Sequence, residues 1–168
     1  MQEISIRRAG QGDRDPVWDI FRAVITTGET YSFEANTPKS VSDDYWFGPD
    51  VDSFVAVDGA GRVLGMYRIV PNQPGRGAHV ANASYMVSGT AQGKGVGYRM
   101  GRHSLDEARR LGYLAMQFNY VVSTNTAAVA LWQKLGFSIA GTLPKAYRHA
   151  RLGLVDALVM FKLLGDPE

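Results

Sequence analysis

One stretch, running from Tyr85 to Met100, constrains the fold of this chain more than any other. A strand pattern ends there, a short polar turn follows, and glycines at positions 93, 95 and 97 lead into a helix pattern. The first turn of a helix has backbone N–H groups without intrahelical partners and a partial positive charge, so it binds anions. Glycine has no Cβ to keep an anion away from these groups. The stretch therefore predicts a cradle for a pyrophosphate, with further charge from Lys94 and Arg99.

Other interpretations of this glycine loop have to be weighed. A dinucleotide fingerprint has the spacing G-x-G-x-x-G, but counting from Gly93 the sixth position is Tyr98. A P-loop requires a lysine followed by Ser or Thr, whereas Lys94 is followed by Gly95. A tight turn without a ligand fits the same residues, so the loop alone leaves the choice open.

Composition narrows the function classes. The chain of 168 residues is most simply one domain, 1–168, and its lack of cysteine excludes disulfides, thiolate metal sites and a cysteine nucleophile. A net charge of +2 without a basic run does not indicate binding to nucleic acid or to an anionic membrane. No apolar stretch approaches the roughly 20 residues of a membrane span, and no leader pattern is visible. We expect a cytoplasmic protein without a metal cofactor.

Apolar spacing predicts the element order β-α-α-β-β-β-α-β-α-β-β. The predicted strands cover 4–9, 53–57, 63–70, 79–87, 114–122, 137–143 and 155–163. The predicted helices start at 13–16, at 37–38, at 96 and at 125. We expect the basic residues 144–153 to form a loop.

A second motif follows the glycine loop after one predicted helix and one predicted strand. The stretch Asn125–Phe137 fits the pattern N-x-x-A-x-x-L-[YW]-x-K-x-G-F at every position. The loop itself fits [RQ]-x-x-G-x-[GA] through Gln92, Gly95 and Gly97. In this order the two motifs resemble those of the GNAT superfamily of N-acyltransferases, which use acetyl-CoA.

The resemblance implies an α/β (α+β) architecture, the GNAT fold. It has a mixed, mostly antiparallel sheet of six to seven strands with a central splayed parallel pair, flanked by about four helices. Two branches are similar in detail. Residues 141–149 resemble phosphinothricin-type acetyltransferases, and Asn82, Asn119 and Asn125 with their neighbours resemble fungal N-acetyltransferases that detoxify proline analogues.

The resemblance also implies how the cofactor is held. In this superfamily the strand before the glycine loop carries a bulge and diverges from its parallel neighbour, and the amide-bearing arm of CoA pairs with the free strand edge. One backbone N–H of that edge faces the acetyl oxygen. Asn125 would bind the arm, although it is equally typical of a helix N-cap. The implied CoA contacts are Tyr85, Met86, Val87, Gln92, Gly93, Lys94, Gly95, Val96, Gly97, Tyr98 and Asn125.

The group that removes the acceptor's proton departs from the superfamily pattern. Many relatives place a glutamate on the strand that here covers 79–87, and this strand contains none. Asn82 and Asn119 stand instead on neighbouring strands, where asparagine is disfavoured. We expect them to orient the acceptor or a water, unless their amides only satisfy each other or the backbone. An amide is not a general base at neutral pH. Deprotonation would then fall to water or to one of three side chains, Glu29, Glu34 and His79.

A second departure concerns the leaving thiolate. Trp132 stands where relatives often have a tyrosine that protonates it, and indole is no acid at neutral pH. We expect Tyr85, Tyr120 or solvent to substitute.

The acceptor side is less well defined by the sequence. Arg68, Arg148 and His149 are candidates for binding an acceptor carboxylate, arginine in bidentate fashion, although each is also typical of a surface charge. Tyr31 belongs to an aromatic segment that is typical of core packing and alternatively of a pocket wall. The resemblance, together with these candidates for binding a carboxylate, implies acetyl transfer to the primary or secondary amine of a small molecule, an amino acid or an analogue.

Two alternatives remain at this point. A protein or peptide N-acetyltransferase would favour an acidic groove, and the sequence shows no acidic cluster to line one. A catalytically silent CoA-binding sensor domain is kept open by the two departures described above. A homodimer is possible, and aromatic residues around Tyr45–Phe47, expected to be exposed, would permit it.

Overall fold

The computed structural model describes residues 4–165. Its strands are β1 (Ile4–Arg8), β2 (Asp52–Asp58), β3 (Val63–Pro71), β4 (Val80–Val87), β5 (Ala115–Val122), β6 (Ser138–His149) and β7 (Gly153–Leu163). Its helices are α1 (Arg14–Thr26), α2 (Lys39–Phe47), α3 (Val96–Arg110) and α4 (Thr126–Lys134). The strands form one sheet in the order β1-β2-β3-β4-β5-β7-β6. The predicted order of elements and the predicted mixed sheet are confirmed.

Two apolar layers cover the sheet. Helices α1 and α2 pack on one face around a cluster that includes Phe21, Trp46 and Met66. Helices α3 and α4 pack on the other face around a cluster that includes Met100, Met116 and Met160. Each helix contributes an apolar stripe at helical spacing, and burial of that stripe supplies most of its stability.

The pairing of β4 with β5 positions the site. These strands are parallel, as the βαβ pattern predicts, but they pair only from Val80 with Ala115 to Asn82 with Gln117. Beyond these three residue pairs the strands part. The splayed parallel pair is therefore confirmed, and α3 and α4, which follow the two diverging strand ends, begin on either side of the opening.

The bulge that accompanies the parting lies on a different strand from the one implied. The ladder between β3 and β4 runs without a register shift from Gly65–Val87 to Pro71–Ala81. Strand β5 instead shifts register against β7 between Phe118 and Val121. A bulge bends its strand and increases its twist, so β5 turns away from a regular β4.

Residues 144–153 are mostly strand, so the predicted loop is wrong. Strand β6 continues to His149 after a register shift between Leu143 and Tyr147, and Asp156 accepts a hydrogen bond from the backbone N–H of Lys145 within that irregularity at 2.9 Å. Strand β6 is an edge strand, and proline is tolerated on edge strands and at bulges. Pro144 therefore does not end the strand.

No helix in residues 4–165 is both long enough and apolar enough to cross a membrane.

Candidate active site

A cavity of about 300 Å³ lies where β4 and β5 part. We call this opening the cleft, and residues 27–38, which connect α1 to α2 without regular structure, the strap. The strap covers the cleft on the side of α1 and α2, and α4 borders it on the other. The lining residues are Thr30, Tyr31, Ser32, Phe33, Tyr45, Asn82, Ala83, Ser84, Tyr85, Phe118, Asn119, Tyr120, Val121, Val122, Asn125, Ala128 and Trp132.

The open edge of β4 presents alternate peptide groups to the cleft. Ser88 donates its N–H to the carbonyl of Leu64 at 2.8 Å, so the even-numbered residues of β4 direct their peptide groups towards β3. The odd-numbered residues Ala83, Tyr85 and Val87 direct theirs into the cleft. Met86, predicted as a backbone contact of the cofactor, pairs with Met66 and faces β3 instead. Of the three predicted residues, Tyr85 and Val87 remain on the open edge.

The Tyr31 side chain forms hydrogen bonds with both the backbone N–H and the backbone carbonyl of Tyr85, which face the cleft. The Tyr31 hydroxyl donates to the Tyr85 carbonyl at 2.6 Å, and the Tyr85 N–H donates to the Tyr31 hydroxyl at 3.0 Å. The backbone carbonyl of Tyr31 accepts in turn from the hydroxyl of Tyr147 on β6 at 3.0 Å. Burial raises the pKa of the Tyr31 phenol well above its usual range, so at neutral pH it keeps its proton.

The glycine loop has the geometry of an anion cradle. Gly95 adopts φ +77°, and a Cβ there would meet no atom within 4 Å, so the space above it is open. The first backbone bond into α3 runs from Arg99 N to Gly95 O at 3.1 Å. Within residues 4–165 the N–H groups of Val96, Gly97 and Tyr98 therefore have no backbone acceptor.

Other members of the loop have different surroundings. Gly93 has φ +74° and open space like Gly95, and the side chains of Gln92 and Lys94 are exposed. A Cβ on Gly97 would lie 3.3 Å from Leu131 of α4. Gly97 thus also allows the start of α3 to approach the middle of α4.

Asn125 caps α4 and borders the cleft. Its Oδ1 accepts from the N–H of Ala128 at 3.3 Å, as expected for an N-cap residue. Its side-chain NH₂ group has no hydrogen-bond acceptor in the described part of the chain. Asn125 can therefore cap α4 through its Oδ1 and bind a ligand through its NH₂ group at the same time.

Asn82 and Asn119 both line the cavity but do not bond to each other. Asn82 donates to the carbonyl of Gln117 at 3.0 Å, at the point where strand pairing ends. Asn119 donates to Asn72 at 2.7 Å and accepts from the Gln117 side chain at 2.9 Å. Asn82 thus bridges the parting strands, whereas Asn119 belongs to an exposed row of amides.

None of the candidate bases lines the cavity. Within residues 4–165 its lining contains no Asp, Glu or His. Glu29 pairs with Arg151 at 2.5 Å. Glu34 lines a groove that continues from the cavity along the strap. His79 is exposed before the paired end of β4, and it lies three positions, about 10 Å of extended chain, from Asn82.

The candidate acids for the thiolate also differ in their positions. The Tyr85 hydroxyl points to the α3 face, 2.6 Å from the Ser104 hydroxyl, and burial raises its pKa above the usual range. Trp132 is buried against the Tyr85 ring, with ring centroids 4.6 Å apart. The hydroxyl of Tyr120, which lines the cavity, donates to the carbonyl of Ala146.

None of the candidate anion-binding residues, Arg68, Arg148 and His149, lines the cavity itself. Arg68 lies 3.4 Å over the ring of Tyr45 and donates to the Tyr45 carbonyl at 3.0 Å. His149 is buried, and its Nδ1 accepts from the N–H groups of Arg151 and Leu152 at 3.1 and 3.2 Å, which closes the β6–β7 turn. Arg148 is exposed and lines the groove beside the strap.

Sequence reasoning missed the contacts that hold the strap and α2 beside the cleft. Tyr147 binds Tyr31, and Tyr45 lies 2.5 Å from the Ser84 hydroxyl on β4. The N–H of Ala150 donates to the carbonyl of Gly28 at 2.9 Å. Each contact joins segments that are far apart in the chain, so no local sequence pattern predicts it.

Comparisons with known proteins agree with this geometry. The model of the acetyltransferase (GNAT) family matches residues 18–137. A GCN5-related N-acetyltransferase from Kribbella flavida superposes with a TM-score of 0.91 at 42% identity, over 95% of this chain and 97% of that one.

Two curated relatives are similar over most of their length. N-acetyltransferase aca1 of Schizosaccharomyces pombe is 30% identical over 80% of this chain and 72% of its own. The L-methionine sulfoximine/L-methionine sulfone acetyltransferase of Pseudomonas aeruginosa is 29% identical over 84% of each chain.

The predicted resemblance is confirmed by these matches, and with it the donor, since acetyl-CoA is the acetyl donor of the family whose model matches. The cleft, the glycine cradle and the helix cap occupy the positions that such a donor requires. The chain therefore belongs to the acetyltransferase (GNAT) family of N-acetyltransferases.

Proposed function

We propose that this enzyme transfers the acetyl group of acetyl-CoA to the amine of a small molecule, an amino acid or an analogue. The observation that carries the proposal is the end of β4–β5 pairing after three residue pairs, which opens a strand edge beside a cavity of about 300 Å³. The edge suits an extended amide-bearing arm, and the cavity suits a compact acceptor.

The donor side fits CoA through its main chain. Acetyl-CoA supplies an acetyl group activated as a thioester. The unpartnered N–H groups at the start of α3 and the open space over Gly93 and Gly95 would hold the pyrophosphate. The peptide groups of Val87 would pair with the arm from one side, and the NH₂ group of Asn125 would donate from the other.

The reaction forms a bond between the acceptor nitrogen and the acetyl carbon and breaks the bond between that carbon and sulfur. One proton leaves the nitrogen and one reaches the sulfur. Negative charge develops on the acetyl oxygen, and the N–H of Tyr85 is the donor on the open edge that would stabilise it; such a donor is worth about 100-fold or more in rate.

Proton removal is assigned to water. The cavity lining in residues 4–165 offers neutral polar groups and no carboxylate or imidazole, so the enzyme would accept the amine as the neutral form and orient it with Asn82 and Asn119. The thiolate would take its proton from solvent or from Tyr120, because the Tyr85 hydroxyl is already bound to the Ser104 hydroxyl of α3.

Acceptor selection follows from what surrounds the cavity. The strap and Tyr120 restrict its size, which disfavours a peptide. Arg68 lies behind the ring of Tyr45, and none of the ion pairs among residues 4–165 involves it. Its uncompensated charge favours an acceptor with a carboxylate. The Pseudomonas relative, whose name gives two L-methionine derivatives as substrates, supports this class.

The test is release of free thiol from acetyl-CoA in the presence of a panel of amino acids, amino-acid analogues and N-terminal peptides. We expect turnover with one or more free amino acids or analogues and none with peptides. Turnover with peptides alone would refute the small-molecule acceptor. Tight CoA binding with no turnover on any amine would support a silent binding module instead.

We also propose a cytoplasmic homodimer. The aromatic residues predicted to be exposed for contact are not: Trp46 is 1% exposed and its neighbours are half-buried. Large apolar side chains are exposed instead along β6 and β7, at Ile139, Leu143 and Leu154. Light scattering would test the dimer, and Leu143→Lys should dissociate it; a monomer at all concentrations would contradict it.

A further inference from the structure

We propose that the Tyr31 hydroxyl is a second hydrogen-bond donor to the acetyl oxygen, acting together with the backbone N–H of Tyr85. The inference rests on the proposed binding of acetyl-CoA in the cleft. It concerns the donor half of the reaction and is independent of which amine is the acceptor.

The reach of the CoA arm selects Tyr85. The glycine cradle adjoins the end of β4, so an arm that extends from it meets the peptide groups of Val87 first and those of Tyr85 next. The following odd-numbered residue, Ala83, is buried at the apex beside the last β4–β5 pair. The thioester is at the far end of the arm, so the N–H left for its oxygen is that of Tyr85.

That N–H is already bound by Tyr31, at 3.0 Å. Two oxygens that share one N–H donor lie close to each other, which is repulsive unless one of them donates to the other. An acetyl oxygen has no proton to give. The Tyr31 hydroxyl has one, directed at the Tyr85 carbonyl at 2.6 Å. Rotation of this O–H from the carbonyl to the incoming oxygen removes the repulsion and adds a donor.

Transfer of the Tyr31 hydrogen bond from the Tyr85 carbonyl to the acetyl oxygen stabilises the transition state more than the bound ground state. A thioester oxygen is a weaker acceptor than the amide carbonyl that Tyr31 binds in its absence, but it becomes a stronger one as negative charge develops on it. A bond gained mainly in the transition state raises kcat rather than tightening the binding of acetyl-CoA.

The surroundings keep this hydroxyl protonated and in place. Tyr147 fixes the Tyr31 backbone through its own hydroxyl at 3.0 Å, and the strap is held at Gly28 by the N–H of Ala150. Burial is the main cause of the raised pKa of Tyr31, which therefore remains a donor over the whole neutral and mildly alkaline range.

The test combines kinetics with the infrared carbonyl frequency of bound, carbon-13-labelled acetyl-CoA. In Tyr31→Phe we expect kcat to fall about 100-fold and the dissociation constant of acetyl-CoA to change by less than about threefold. The carbonyl band should move from its lowered frequency in the wild type towards its value in water-free solvents. Tyr45→Phe, which removes a hydroxyl from the same wall without touching Tyr85, should keep the wild-type frequency.

Two results would overturn the proposal. One is an unchanged carbonyl frequency in Tyr31→Phe. The other is a wild-type kcat with tighter acetyl-CoA binding, which would mean that Tyr31 only blocks the Tyr85 N–H until the donor arrives. If Tyr31→Phe does not fold, 3,5-difluorotyrosine at position 31 keeps the ring and strengthens the donor. It should lower the carbonyl frequency further, and an unchanged frequency there also contradicts the proposal. The frequency is measured without an acceptor, so failure of the small-molecule assignment would leave it interpretable.

Discussion

The two halves of the cleft are built from different kinds of groups. On the donor side, the start of α3 offers main-chain N–H groups that have no backbone partner in residues 4–165. On the acceptor side, polar side chains already bind other groups of the protein: Tyr45 with Ser84, Asn82 with Gln117 and Asn119 with Asn72. Tyr31 lies between the two sides and is bound to Tyr85 and Tyr147. The donor half binds a group common to every turnover, and most of its contacts come from a backbone of the right shape, to which Asn125 and Tyr31 add side-chain donors. The acceptor half recognises a variable molecule with side chains from separate elements, which can be exchanged one at a time.

The largest effect is expected from Gly95→Asp, which breaks the donor half. Aspartate at φ +77° is strained and places a carboxylate in the cradle. We expect the dissociation constant of CoA, measured by calorimetry, to rise by about 100-fold, equal to about 2.7 kcal/mol. Gly95→Ala, which has the strain without the charge, should weaken binding less. If Gly95→Asp and the wild type bind CoA with equal affinity, the glycine loop does not bind the pyrophosphate.

The next largest effect is expected from Asn82→Ala and Asn119→Ala, which alter the acceptor half and leave the donor half unchanged. Loss of one hydrogen bond costs about 1 kcal/mol, so we expect kcat/KM for the acceptor to fall by about fivefold in Asn82→Ala and by less in the more exposed Asn119→Ala. The affinity for CoA, measured in parallel, should stay within about twofold. A lowered Tm with normal kcat/KM would instead assign the amides a purely structural role.

A smaller effect is expected from Tyr147→Phe, which loosens the strap without changing the cavity lining. Removal of its bond to the Tyr31 carbonyl should lower the free energy of unfolding by about 1 kcal/mol. It should also raise the KM of the acceptor more than that of acetyl-CoA. Urea unfolding and steady-state kinetics measure the two effects, and an equal rise in both KM values would argue against separate halves.

The smallest effect on either half is expected from Asp13→Asn, at the start of α1. Hydrogen bonds from Arg7 at 2.7 and 2.9 Å are the main cause of the lowered pKa of Asp13. A lowered folded pKa stabilises the protein fully above the unfolded value, near 4, and this contribution is lost as the pH falls through the folded value. Asp13→Asn should therefore lose stability at pH 7 and show a weaker acid dependence below pH 4, with unchanged binding at both halves. Altered CoA affinity would contradict the separation.

This division also explains what the sequence could predict. The donor half follows from local patterns, because Gly93, Gly95 and Asn125 act through their own backbone or helix end. The order of elements follows from hydrophobic spacing. The bulge in β5 depends on its pairing with β7, and the contact of Tyr31 with Tyr85 joins residues 54 positions apart. Such features arise from tertiary packing, which no single window of sequence contains.

The close approach of Gly28 to Ala150 has an evolutionary consequence. A Cβ on Gly28 would lie 2.9 Å from that of Ala150, and at φ +63° a side chain there is strained as well, so position 28 does not tolerate a larger residue. The strap therefore fits closely against the β6–β7 turn: a chimaera that imports from a homologue a strap with a bulkier residue at position 28 needs that homologue's β6–β7 turn as well. Grafting both segments together is the way to transplant acceptor preference between members of the family.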